Sequence, residues 1–150
     1  MGKVLIGVGL QEEKKVGNEK QFNKICEYFD ANADSYDKAI NIVRVKNYTN
    51  RNSSGKDDII NYRQSSKASV LGGLKHELHG FTIEDETMFS MHDEYYIVGG
   101  SLGLAIMGLV LQMYGMGLNV KVIEKYTFDR KGMEKHARAI FDAYMPGVLI

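Results

Sequence analysis

The segment YIVGGSLGLAIMGL sets a hydroxyl and several small residues between an apolar run typical of a strand and an apolar run typical of a helix. The Ser101 hydroxyl is the group in this segment that could attack a carbonyl carbon. An unactivated serine is a weak nucleophile, and the sequence places no histidine or acidic residue to activate Ser101. The residue types therefore argue against nucleophilic catalysis by this serine.

The start of the following helix could instead bind an anion. The backbone amides of Gly103, Leu104 and Ala105 would favour a negative charge there. Arg63, near the end of a strand-like run, could hold a carboxylate or phosphate with two parallel hydrogen bonds. Together with Ser101, these residues predict a site for a small anionic metabolite. The alternative is that side chains fill this space and that Arg63 forms a surface ion pair.

The single cysteine and two histidines are further groups with chemical potential. Cys26 lies in FNKICEYF, whose apolar residues recur at helical spacing, so the pattern predicts a small buried side chain and not a reactive thiol. One cysteine cannot form an intramolecular disulfide, and the expected compartment is reducing and cytoplasm-like. His76 and His79 have a spacing that suits metal ligands, but a solvated helix end explains it equally well. The sequence predicts neither a metal nor a cofactor.

Length and charge limit the classes of function. The chain has 150 residues, and 19 basic side chains balance 19 acidic ones, so no charge excess indicates a nucleic-acid partner. The apolar run 102–117 is interrupted by Gln112 and by glycines, and it is shorter than the roughly 20 residues that a bilayer-spanning helix needs. We therefore expect no membrane partner and a single domain over residues 1–150.

Apolar runs of strand length alternate with helical stretches, which is the pattern of a parallel sheet covered on both faces. The predicted strands comprise residues 4–8, 39–45, 59–62, 95–98 and 120–124. The predicted helices comprise residues 18–33, with Asn18 as the cap, 68–78, 102–117 and 132–144. Residues 47–58 read as a polar loop, and the acidic connection 79–94 shows no clear period. These elements predict a three-layer α/β/α sandwich with a mainly parallel sheet and Rossmann-like topology, whose functional edge is formed by the carboxyl ends of the strands.

The segment 95–125 resembles part of the isochorismatase-like cysteine hydrolases. In that family a strand, turn and helix carry a pattern of the type G-x-x-T-x-x-C-V, in which the cysteine is the nucleophile. Gly99, Leu102 and Ala105 fall on this pattern. The resemblance therefore puts Ala105 at the position of the nucleophile.

The sequences at the ends of two further predicted strands resemble motifs of the same family. The opening LIGVGLQ matches L-x-V-x-D-x-Q, whose aspartate is the general base, so Gly9 takes the base position while Gln11 is kept. In RQSSKASVLGGL, Arg63 takes the place of the family's lysine. Members that bind zinc use an aspartate and histidines in the loop after the second strand, and the loop KNYTNRNSSGK contains neither.

The resemblance implies the isochorismatase-like fold without the family's chemistry, because Gly9 and Ala105 lack the groups that accept a proton and attack. It implies a pseudoenzyme, acting as a structural or assembly subunit or as a module that binds a small anion. The alternative is a divergent hydrolase that acts on a small amide or vinyl-ether metabolite with other residues. Helix 102–117 is apolar on more than one face, and family members associate through this region, so a homo-oligomer is expected.

Overall fold

The computed structural model describes residues 2–10, 17–44, 58–64, 77–78, 81–82 and 89–150. Seven strands in these residues form one sheet in the order β4-β5-β3-β2-β1-β6-β7. The strands are β1 (Lys3–Val8), β2 (Lys38–Arg44), β3 (Asp58–Gln64), β4 (Glu77–Leu78), β5 (Phe81–Thr82), β6 (Glu94–Gly100) and β7 (Asn119–Phe128). The helices are α1 (Glu19–Asn32), α2 (Met107–Gly115) and α3 (Glu134–Tyr144).

The five neighbouring strands β3, β2, β1, β6 and β7 are parallel, as the pattern of the sequence predicts. β1 pairs in parallel with β2 and β6, β2 with β3, and β6 with β7. The two-residue strands differ, since β5 runs antiparallel to β3 and β4 antiparallel to β5. The carboxyl ends of the parallel strands therefore meet at one edge of the sheet.

Helices cover both faces of the sheet. On one face, Phe22 and Phe29 of α1 pack with Leu5 of β1. On the other face, Met113 of α2 and Phe141 of α3 belong to a second core. This core includes the strand residues whose side chains lie on that face of the sheet. Because β1 buries side chains on both faces, its sequence reads as a continuous apolar run. The predicted three-layer α/β/α architecture is confirmed.

Several predicted boundaries were wrong. The helix predicted over 68–78 does not reach its end, because Glu77–Leu78 is a strand, and residues 68–76 lie outside the described part. The connection 79–94 contains the strand Phe81–Thr82. Two-residue strands are too short to produce a period in the sequence, which explains why neither was predicted. Asn18 does occupy the cap position of α1, but its side chain makes no capping hydrogen bond.

The apolar run 102–117 begins with a π-helical turn, Leu102–Ile106, which continues into α2. In this turn the Ile106 amide donates to the Ser101 carbonyl, five residues earlier, over 3.0 Å. Turns of this kind are rare and are frequent at functional sites. None of the helices in the described residues has the length and hydropathy to cross a membrane.

The outer side of β7 is closed by the last residues of the chain. Val122 and Leu149 form a parallel bridge, and the Val122 amide donates to the Val148 carbonyl over 2.8 Å. Further along β7, the Gln21 side-chain amide donates to the carbonyls of Lys125 and Thr127. The backbone of this edge strand thus has partners over much of its length.

Candidate functional site

The residues that follow β1, β6 and β7 lie side by side at the carboxyl edge. Val8 pairs with Gly99, and Gly100 pairs with Phe128, so the next residues of these strands are also neighbours. They include Ser101 after β6 and Asp129 after β7. A parallel α/β sheet commonly binds ligands at this edge.

Gly99 allows β6 to approach β1 at the end of the strand. Its φ of +113° lies in a region that residues with a side chain rarely adopt. A Cβ atom at this position would overlap the Val8 carbonyl oxygen. The position of Ser101, two residues later, therefore depends on a glycine at 99.

Asp129 fixes the π-helical turn that follows Ser101. Its side chain is 6% exposed, and its Oδ2 accepts a hydrogen bond of 3.0 Å from the Gly103 amide. Its Oδ1 accepts a second bond, of 2.8 Å, from the Arg130 amide. A carboxylate at the start of a helical segment is favoured because the first amides there point outward. Asp129 thereby joins the loop after β7 to the turn after β6.

A cleft of about 240 Å³ opens between this turn and the first half of α3. Its polar lining comprises Ser101, Asp129, Arg130 and His136. Its apolar lining comprises Leu104, Met107, Met133, Ala137 and Ile140, with Gly103 between the two groups. Residues that carry a hydroxyl, an imidazole, a carboxylate and a guanidinium therefore line one concave space.

The cleft is lined by a histidine as well as by Ser101. His136 is 35 residues further along the chain, and α3 brings it to the same space. No linear spacing relates the two residues, because the whole of α2 and β7 lies between them. The sequence therefore carries no signal for this arrangement.

The structure brings together only some of the residues that were predicted to bind a ligand. Ser101, Gly103 and Leu104 line the cleft, whereas Ala105 is half-buried and packs against the core. Arg63 lies in β3, paired with Thr82, and its side chain is outside the description. Among the described residues, the cleft therefore gathers only part of the predicted set.

Two of the three amides predicted to bind an anion already have acceptors. The Gly103 amide donates to Asp129, and the Leu104 amide donates to the Ser101 carbonyl over 3.3 Å. An anion at Gly103 would have to displace a buried carboxylate. The small-anion site stays a prediction that depends on Arg63.

The position that resembles the family's general base has a backbone suited to glycine. Gly9 has φ of +67°, and its amide donates to the Ile42 carbonyl over 2.7 Å. The left-handed conformation favours a residue without Cβ. Gln11, which follows in the same motif, lies outside the described residues, as do His76 and His79.

Cys26 lies on α1 and packs against the core of that face, but it is half-buried and not fully buried as its spacing predicts. Within the part of the chain that the structure describes, no group of three or more histidine, cysteine, aspartate or glutamate side chains could hold a metal ion. Of the loop 47–58, where the resemblance implies the ligands of zinc-binding members, only Asp58 is among the described residues.

No model of a known protein family and no curated protein matches the sequence. Solved structures do match. A pyrazinamidase of Pyrococcus horikoshii, in complex with zinc, has a TM-score of 0.69 at 13% identity, over 99% of this chain and 98% of that one. A protein of Leishmania major described as a MAR1 ribonuclease has 0.65 at 15%, over 99% and 76%. An isochorismatase-like hydrolase of Alkaliphilus metalliredigens has 0.63 at 9%, over 100% and 94%.

At these identities the likeness shows the fold, so the chain has the isochorismatase-like hydrolase fold that its motifs resemble. The comparisons also correct the prediction that the chain is not an enzyme. Its fold is shared along nearly its whole length with enzymes such as the pyrazinamidase. The prediction took the residues at Gly9 and Ala105 as decisive. The alternative, a divergent hydrolase that uses other residues, fits the comparisons better, and Ser101 and His136 line one cleft.

Proposed function

We propose that this protein is a divergent hydrolase that cleaves a small amide at the cleft beside α3. The observation that carries the proposal is that Ser101 and His136 line the same concave space at the carboxyl edge of the sheet. The fold is also that of a pyrazinamidase, whose name is that of an amide-cleaving enzyme. The chemistry is assigned to residues other than those at Gly9 and Ala105.

In this mechanism the Ser101 hydroxyl attacks the amide carbonyl carbon, and His136 accepts the hydroxyl proton. The carbon–nitrogen bond then breaks, and the departing nitrogen takes the proton from His136. Water, deprotonated by His136, next attacks the acyl-serine ester, which releases a carboxylic acid and restores the hydroxyl. Nucleophile and base need to be within hydrogen-bond reach during reaction.

Within the described part of the chain, no hydrogen bond joins Ser101 and His136. In enzymes without substrate such contacts are often long and shorten when the substrate binds. Asp129 donates no proton in this scheme. Its hydrogen bonds go to the amides of Gly103 and Arg130, so it positions the turn that carries Ser101.

The proposal is tested by measuring ammonia released from pyrazinamide, nicotinamide and benzamide. We expect Ser101→Ala to abolish turnover and His136→Gln to lower kcat by about 10²–10⁴-fold, the range for loss of a general base. Ser35→Ala and His92→Gln are matched controls, since both residues are exposed and outside the cleft. Both controls should retain full activity.

Absence of ammonia release above the uncatalysed rate, from every amide of the panel, would remove the proposal. Two further substrates test the reaction class. Isochorismate tests vinyl-ether cleavage, and a single-stranded RNA tests the activity named for the Leishmania protein. If one of these substrates is cleaved, His136→Gln lowers that cleavage and the amides are not hydrolysed, that substrate replaces the amide in the proposal.

A second proposal is self-association through α2, because this helix exposes large apolar side chains. Leu111, Tyr114 and Met116 are 38%, 43% and 37% exposed, and Met91, whose side chain lies close to Gly117, is 69% exposed. A protein interface would cover such a surface. The expected partner is a second copy of this chain, and no nucleic-acid or membrane partner is proposed.

Light scattering at micromolar concentration tests the second proposal. We expect a dimer or larger assembly that Leu111→Glu converts to a monomer. Asn23→Glu, which adds the same charge on the exposed side of α1, should leave the assembly intact. A monomeric wild type would contradict self-association. The reducing, cytoplasm-like compartment remains a proposal that rests on the single cysteine.

A further inference from the structure

The lining of the cleft is mostly apolar, and part of it is exposed. Leu104, Met133 and Ile140 are 38%, 46% and 41% exposed, although side chains of this type favour burial. All three line the one cleft that also contains Ser101 and His136. Apolar side chains that converge on a concave site indicate a ligand that covers them.

The size of the cleft decides what kind of ligand this is. Its volume of about 240 Å³ is below the roughly 300–1,000 Å³ of pockets that hold drug-sized ligands. A protein helix, roughly 10 Å across with its side chains, is too wide to enter. The cleft therefore suits a single small molecule and is too narrow to enclose a helix of a partner protein.

The stripe of α3 that faces the cleft places apolar side chains on both sides of His136. Met133, His136, Ala137 and Ile140 follow one another at intervals of three, one and three residues, which puts them on one face of the helix. Across the cleft, Leu104 and Met107 have the same three-residue interval at the end of the π-helical turn and the start of α2. A substrate carbonyl within reach of His136 has apolar side chains beside it, which the acyl group can contact.

We infer that the cleft selects amides whose acyl group is small and apolar, and that Met133 and Ile140 determine this specificity. The inference rests on the proposed function for its reaction, but the binding site can be tested without turnover. Acyl groups of four to six carbons fill the apolar part, whereas an acetyl group leaves Met133 and Ile140 exposed. The contact area between the acyl group and the apolar lining then determines the order of kcat/KM among the substrates.

Kinetics with acetamide, butyramide and hexanamide test the specificity. We expect kcat/KM to rise with chain length, by up to about fourfold per methylene. Met133→Gln and Ile140→Asn should each reduce the ratio of hexanamide to acetamide turnover at least threefold. Tyr144→Gln, on the same helix but outside the lining, should leave the ratio unchanged.

Binding of hexanamide to Ser101→Ala, followed by calorimetry and by NMR shifts at Met133, separates the two conclusions. Saturable binding that weakens at least threefold in Ile140→Asn supports the apolar site, even if the wild type hydrolyses no amide and the proposed reaction fails. Amide hydrolysis without any preference for longer acyl groups overturns the inference and leaves the proposed reaction standing. Absence of hexanamide binding to the folded variant also overturns the inference.

Discussion

The Asp129 carboxylate accepts a hydrogen bond of 3.0 Å from the Gly103 amide, which joins the loop after β7 to the turn after β6. The carboxylate is almost fully buried, and its second oxygen accepts the Arg130 amide. Gly103 has little space beside it, since a Cβ there would lie 3.0 Å from Oδ2 of Asp129. Two elements that line the cleft are thus held together by one side chain.

Replacing this carboxylate should destabilise the fold. Asp129→Ala leaves the Gly103 amide without its acceptor, so we expect the free energy of unfolding to fall by about 1–3 kcal/mol in urea denaturation. Asp129→Asn retains an acceptor oxygen and should cost less. Glu27→Gln, at an exposed position of α1, is the matched control and should change stability by less than about 0.5 kcal/mol. Equal stability of Asp129→Ala and wild type would contradict the role of this bond.

Gly99 and Gly115 provide a matched pair of glycine substitutions. Gly99→Ala should cost at least about 3 kcal/mol, because its φ of +113° is strained for alanine and the new Cβ overlaps the Val8 carbonyl. Gly115→Ala meets no atom within 4 Å at the last residue of α2, and we expect it to stabilise by up to about 1 kcal/mol. Thermal and urea unfolding measure both changes. Similar effects of the two substitutions would contradict this account of Gly99.

The architecture was predictable from the sequence because its signals are local and repeated. The apolar runs around Leu5 and Ile97 and the helical spacing of Phe22 and Phe29 each fix an element and its buried face. The proposed pairing of Ser101 with His136 was not predictable in the same way. The two residues line one cleft only because β7 and α3 fold back past the turn, and an arrangement of that separation leaves no periodic trace.

The packing of α3 on the sheet is tested by two aromatic residues of that helix. Phe141 is fully buried in the core, whereas Tyr144 is 73% exposed. Phe141→Ala should lower the free energy of unfolding by about 3–5 kcal/mol, the range for deleting a buried aromatic ring. Tyr144→Ala should change it by less than about 0.5 kcal/mol. Comparable losses in the two variants, measured in urea, would show that α3 does not pack as described.

Stability should fall at alkaline pH through Tyr36. Burial, and then a hydrogen bond with Tyr28, raise the pKa of Tyr36 above its usual value of 10.0. A raised pKa in the folded state means that the unfolded chain ionises first, so this contribution is complete below pH of about 10 and is lost as the pH rises toward the folded-state pKa. Urea unfolding between pH 9 and 11 measures the decline.

Tyr36→Phe removes the ionising group and should make this decline shallower. Tyr144→Phe removes a phenol from an exposed position and is the control. The two variants should therefore differ in the pH dependence of unfolding and not only in stability at neutral pH. Parallel pH profiles for Tyr36→Phe and wild type would contradict the contribution of Tyr36.

The closure of β7 has a consequence for how copies of this protein could join. An open outer strand offers unpaired amides and carbonyls on which another chain can extend the sheet, and this is a common route to amyloid-like growth. Here Val148 and Ile150 bond to Val122, and the Gln21 amide occupies the carbonyls of Lys125 and Thr127. For another chain to pair with β7, the carboxyl-terminal residues would first have to separate from this strand.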